Sequence, residues 1–175
     1  MLIRRATYND IDSILSIVRS AQLSLRELGI DQWQDGYPSR DVISADIDAG
    51  VGYVAEDANG NVVGYEAVVL SGEEAYLQLP HNIWHTDSDY VVVHRLCVMA
   101  DNRRRGIAIE LMRFAARHAA SNGIISFRID THRGNVRMLS LLGKLGFQYV
   151  GIIHYPVSGE RVAYDLKLNG SYLLQ

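Results

Sequence analysis

The sequence is short of cysteine, of net charge and of long apolar runs, and each shortage excludes something. A single cysteine, Cys97, rules out an internal disulfide framework. It lies in the apolar run 90–99, where a buried strand residue is expected and not a reactive thiol. The formal net charge is −3, so the chain as a whole is no electrostatic binder of nucleic acid, and any anion site must be local. No stretch reaches the ~18 consecutive apolar residues of a membrane span. The opening MLIRRATYND has no apolar targeting core. A cytoplasmic protein with no membrane partner is expected. Repeats, low-complexity tracts and internal linkers are also absent. His81 and His85 flank Trp84 without a third ligand at useful spacing, so no metal is expected.

What is present reads as one α/β domain over 1–175. Leu2-Ile3-Arg4-Arg5-Ala6 is a short first strand. Thr7, with Asp10 three residues on, starts a helix carrying Ile11, Ile14, Leu15, Val18, Ala21, Leu25 and Leu28 at helical spacing, and Gly29 stops it. Ser39 caps a second helix with Val42, Ile43 and Ile47. Strands at 51–56 and 62–70 flank Asp57-Ala58-Asn59-Gly60-Asn61, a hairpin signal. Residues 71–89 read mostly as loop. A strand at 90–99 leads through an arginine-rich turn into a helix with Ile107, Leu111, Ala115 and Ala119 on one face. Then come a strand at 124–129, a helix at 135–145, and strands at 147–153 and 161–168 joined through Pro156-Val157-Ser158-Gly159. The order β-α-α-β-β-β-α-β-α-β-β gives a mixed sheet with an antiparallel first half.

The turn Asp101-Asn102-Arg103-Arg104-Arg105-Gly106-Ile107-Ala108 carries the chemistry. It joins a strand to a helix, where the first amides point outward unpaired and the helix dipole favours an anion. Gly106 and Ala108 leave the backbone approachable, and arginines add charge-assisted contacts. Neither GxxxxGK(S/T) nor a GxGxxG after the first strand occurs. The site therefore reads as a cradle for a pyrophosphate-bearing ligand other than a P-loop nucleotide.

Leu96-x-Val98-x-Ala100-x-x-Arg103-Arg104-Arg105-Gly106-Ile107-Ala108 resembles the Leu-x-Val-x-Pro-x-x-Gln/Arg-x-x-Gly-x-Gly/Ala signature of GNAT-type N-acetyltransferases. Asn135-Val136-Arg137-Met138 and Leu145-Gly146-Phe147 are similar to that family's Asn-x-x-Ala and Gly-Phe elements. The resemblance implies splayed central strands flanked by helices, with acetyl-CoA as co-substrate entering between the 90–99 and 124–129 strands. Amides of Arg104, Arg105, Gly106, Ile107 and Ala108 would hold the pyrophosphate, with Arg103 opening the loop. The backbone of Leu96, Cys97 and Val98 would pair with pantetheine. Asn135 would contact it, and Met138 and Leu142 would line its path. The implied reaction is direct attack of a primary amine, on a small molecule or a peptide, upon the thioester. The family often has a tyrosine where Leu142 stands, as proton donor to the leaving thiolate.

Other groups must then move protons. Tyr155 is the first candidate, Tyr164 the second, and His94, titrating near neutrality in the free state, is suited to take the amine's proton. Arg95, mid-strand, must face solvent, pair with an acid, for which Asp130 is the candidate, or bind an anionic substrate group. Trp33 and Tyr37 follow the first helix, and the resemblance puts that segment on the acceptor side. A non-catalytic acyl-CoA sensor on the same fold remains the alternative, and a homodimer is left open.

Overall fold

The structure, a computed structural model, describes residues 1–86, 88–157 and 159–169. Ser158 of the expected last turn, Asp87 of the 71–89 segment and residues 170–175 of the expected domain lie outside the described residues. The strands are β1 (Leu2–Arg5), β2 (Gly52–Glu56), β3 (Val62–Val69), β4 (Tyr90–Val98), β5 (Ser126–Thr131), β6 (Gln148–Tyr155) and β7 (Gly159–Lys167). The helices are α1 (Ile11–Glu27), α2 (Arg40–Asp48), α3 (Ile107–Ser121) and α4 (Val136–Lys144). They occur in the order read from the sequence. The 71–89 segment is more structured than its composition showed, with 3-10 turns at Glu74–Gln78 and His81–Ile83.

Seven strands form one mixed sheet in the order β1-β2-β3-β4-β5-β7-β6. Strands β1, β2 and β3 pair antiparallel, as do β5 with β7 and β6 with β7. Strand β4 pairs parallel with β5 from Tyr90↔Ser126 to Val92↔Arg128 and runs on to Val98 beyond the last of these pairs. By contacts the chain divides into two compact units, Met1–Val68 with Val93–Met112, and Val69–Val92 with Arg113 onward.

In the first unit, alternation along β2 sends Val54 to one face and Ala55 to the other. Val54 joins Ile14, Ile17 and Val18 of α1, Ile43 of α2, and Tyr65 and Cys97. Ala55 joins Val63 and the first turns of α3, through Ile107 and Leu111. A Cβ on Gly64 would meet Leu111 at 3.0 Å and Ile107 at 3.1 Å, so only glycine lets α3 lie this close to β3. At the chain start, Asp10 accepts from the Thr7 N–H and hydroxyl, both at 2.8 Å, and pairs with Arg4. That is the acid three residues after Thr7 at work.

In the second unit, Ala75, Tyr76 and Trp84 from the 71–89 segment pack with Val92, Val150, Ile153 and Ala163 of the strands. Asn135 caps α4, accepting from the Met138 N–H at 3.2 Å. Leu142 of α4 and Leu145 just past its end are buried.

Candidate active site

The arginine turn adopts the conformation that its glycine permits. After a 3-10 turn at Ala100–Asn102, Arg104 has φ 62° and Gly106 has φ 81°. Helix α3 follows at once, and the Gly106 carbonyl accepts from the Glu110 N–H at 3.0 Å. The amides before that bond belong to the first turn and have no intrahelical acceptor. A Cβ placed on Gly106 would meet nothing within 4 Å, so the approach to the backbone is open. Arg104 and Arg105 are exposed, while Arg103 turns back and donates from Nη2 to the Ser20 carbonyl at 3.3 Å. The Ala100 N–H donates to Ser20 Oγ at 3.2 Å, so Ser20 of α1 holds the entry to the loop through two contacts. Open glycine backbone, a helix start and two exposed arginines make a cradle that fits a pyrophosphate.

Strand β4 leads into this loop. Leu96 and Val98 are partly buried and pack on the Ile107–Leu111 cluster. Cys97 is buried, and burial pushes its thiol up to about 12, which makes it inert near neutral pH. Arg95 interrupts the strand with φ 58°, a left-handed conformation that costs a non-glycine residue about 1–3 kcal/mol. A two-pronged ion pair holds it there: Arg95 Nε and Nη2 donate to Asp46 at 2.8 and 2.6 Å. Its Nη1 donates to the Tyr37 hydroxyl at 2.7 Å, and the Tyr65 hydroxyl donates to Asp46 at 2.6 Å. The acid that Arg95 uses is thus Asp46 and not Asp130. Asp46 lies three residues after Ile43 on the buried stripe of α2, and an acid on such a stripe is a signal that the sequence reading passed over.

Beside Arg95, burial and the neighbouring guanidinium push His94 down to about 4. That removes the near-neutral pKa on which its role as a base rested, and the ring stays neutral at physiological pH. Trp33 and Tyr37 meet edge to face with centroids 6.4 Å apart. Trp33 packs partly against the α1–α2 core, whereas Tyr37 is exposed.

In the second unit, Tyr155 ends β6 opposite Gly159, whose φ of 75° begins β7. The Tyr155 hydroxyl donates to Asp130 Oδ1 at 3.1 Å, and the Tyr76 hydroxyl reaches the same oxygen at 3.0 Å. Burial raises Asp130 to about 6 against the lowering by both tyrosines, and Glu73 raises it further. Tyr155 is itself raised, by burial first and then by Asp130. Tyr76, on a 3-10 turn within a polar segment, gave no sign of this in the sequence. Tyr164 lies mid-β7 with its ring edge-on to Tyr149 at 5.7 Å. Met138 is half-buried, and Asn135 spends its side-chain oxygen on the helix cap. Leu142 is fully buried, with no surface to offer a ligand.

Comparison with known proteins settles the family. The sequence profile of the acetyltransferase (GNAT) family matches residues 18–147, well over half of the chain. The protein belongs to the GNAT acetyltransferase family. An acetyltransferase of that family from Streptococcus agalactiae is 35% identical over 96% of this chain and 95% of its own, with a TM-score of 0.84. A GNAT acetyltransferase from Listeria monocytogenes shares the fold at 20% identity, covering 95% and 94% of the two chains with a TM-score of 0.71. A ribosomal-protein alanine N-acetyltransferase from Escherichia coli does so at 13% identity, covering 96% and 94%, with a TM-score of 0.65. Comparison with curated proteins gives no match. Among the described residues of this GNAT-family protein, no helix is long and apolar enough to cross a membrane.

Proposed function

We propose that the protein moves the acetyl group of acetyl-CoA to a primary amine by direct attack. The observation that carries this reading is the open backbone at Gly106, ahead of the first turn of α3, in a chain of this family. Acetyl-CoA supplies an electrophilic thioester carbon and a thiolate leaving group. Arg104 to Ala108 bind the pyrophosphate through backbone amides, with Arg104 and Arg105 adding charge. The backbone of Leu96 to Val98 and the Asn135–Met138 turn are assigned to the pantetheine arm. Trp33 and Tyr37 are assigned to the acceptor, and Arg95 positions Tyr37 through its hydroxyl.

For transfer, the amine must arrive deprotonated, its nitrogen bonds the acyl carbon and then gives up one proton to solvent by way of His94, and the carbon–sulfur bond breaks with its electron pair on sulfur. Tyr155 is assigned as the proton source for that sulfur, with Tyr164 second. While Asp130 is ionised it holds the Tyr155 proton; once protonated it can donate to the Tyr155 oxygen and free that hydroxyl to point elsewhere. His94, neutral and weakly basic, is left to relay a proton and not to trap one. The relative from Escherichia coli acts on an alanine of a ribosomal protein, so both small amines and peptide amino groups belong in the search for the acceptor.

The buried Leu142, with no acidic proton, favours a second reading in which the chain binds acyl-CoA without turnover. Thiol release from acetyl-CoA against a panel of small amines and peptides separates the two. Amine-dependent release supports transfer, whereas tight CoA binding with no release by any amine leaves the sensor.

A further inference from the structure

A cavity of about 460 Å³ in the second unit is lined by His81, Trp84, Asp89, Tyr90 and Arg128, with Tyr76 behind. That volume suits a small molecule. Arg128, on β5, is only 5% exposed. Its guanidinium carbon lies 4.1 Å from the Trp84 ring centroid and 3.9 Å from that of Tyr90, so the two rings clamp the guanidinium. The Tyr76 ring braces both of them, at 5.4 and 5.9 Å. Arg128 Nη2 donates to the Thr86 carbonyl at 2.9 Å, and Nε, buried, has no hydrogen-bond partner among the described residues. Tyr90 and then Asp165 contribute to Arg128's charge balance, but the Asp165 carboxylate is also engaged by His85, through the backbone N–H at 2.7 Å and the ring. Among the described residues no carboxylate is hydrogen-bonded to this buried guanidinium, which leaves it under-compensated, since burying a charge is costly unless it is paired. Desolvation accordingly lowers its pKa.

We infer that this cavity is a subsite for the carboxylate of a small amino acid-like ligand, held by Arg128 between Trp84 and Tyr90 with the ligand's ammonium toward Asp89. A planar, singly charged carboxylate matches one guanidinium edge. Asp89 on the wall disfavours a second negative charge, which argues against phosphate, and it offers the partner for an ammonium. The assignment of this ligand as the acceptor rests on the acetyl-transfer reading; the subsite itself does not.

The test pairs molecules that differ in the carboxylate. Each of the standard amino acids, its carboxamide and its N-acetyl derivative are titrated calorimetrically into the full chain. The wild-type protein should bind at least one free acid about 10- to 100-fold more tightly than the matching carboxamide, the range of a charge-assisted contact. Arg128→Gln, checked for folding by near-ultraviolet circular dichroism, should erase that preference. Arg128→Lys, which keeps the charge and the packing stem but loses the planar fork, should reduce it and serves if the glutamine variant does not fold. Asp89→Asn should weaken the free amino acid and leave its N-acetyl derivative unchanged. The inference is overturned if no acid outbinds its carboxamide, or if folded Arg128 variants keep the full preference. An equal effect of Asp89→Asn on both forms removes the ammonium assignment. Carboxylate-dependent binding by amino acids that are never acetylated keeps the subsite and removes its identification with the acceptor.

Discussion

Glu66 gives the sharpest quantitative prediction. It is fully buried on β3, and neither carboxylate oxygen has a hydrogen-bond partner among the described residues. Two residues earlier, Gly64 faces Ile107 and Leu111, so alternation directs Glu66 to the same α3 side. Burial pushes its carboxyl up from 4.5 to about 8. Between those values the folded chain keeps a proton that the unfolded chain has released, so stability is fullest below pH 4.5 and falls as pH rises toward about 8. Each pH unit in that window removes about 1.4 kcal/mol. Glu66→Gln keeps the shape and cannot ionise; its unsatisfied amide adds an offset that does not vary with pH. Urea unfolding of both proteins should therefore show the variant gaining about 3 kcal/mol on the wild type between pH ~5.5 and ~7.5. Parallel stability curves across that range would refute the reasoning and mean that the carboxylate is solvated or paired.

Gly106→Val should weaken CoA binding more than Arg104→Ala, which removes a charge-assisted contact and should cost about 1–3 kcal/mol, because a side chain at φ 81° both strains the turn and fills the open approach; calorimetry ranks them, and normal CoA binding by Gly106→Val would misplace the cradle. Trp33→Ala should alter the apparent affinity or rate for the acceptor while CoA binding stays intact; joint loss of folding and CoA binding would make Trp33 purely a core residue. Asp130 near 6 should put an inflection into the pH–rate profile that Asp130→Asn removes, and Tyr155→Phe should lower turnover at unchanged CoA affinity. Full turnover by Tyr155→Phe at every pH would leave Tyr155 as packing.

The order of elements was legible because local signals agree with the fold: Thr7 with Asp10, the Asn59-Gly60 turn, and Ile107, Leu111, Ala115 and Ala119 on one helical face, all four buried. Segment ends shifted by a few residues, as with β5, which begins at Ser126 and not Ile124. The loop 103–108 was legible for the same reason, since a strand–glycine–helix junction is a local feature. What was not legible depends on pairs distant in sequence. Arg95 and Asp46 are 49 residues apart, and Tyr76 and Asp130 are 54 apart. Nothing in the period of either segment announces such a partner. The titration of His94 likewise depends on burial, which a sequence shows only through its strand.

The measurement that bears most directly on the account is a transfer assay with isotope-labelled acetyl-CoA and an acceptor amine found by thiol release, read by mass spectrometry of the acceptor and of the intact protein. The account predicts label on the acceptor nitrogen in proportion to the CoA released, none covalently on the enzyme, and loss of transfer in Gly106→Val. Label held on the protein, or CoA released without any labelled amine, would contradict direct transfer.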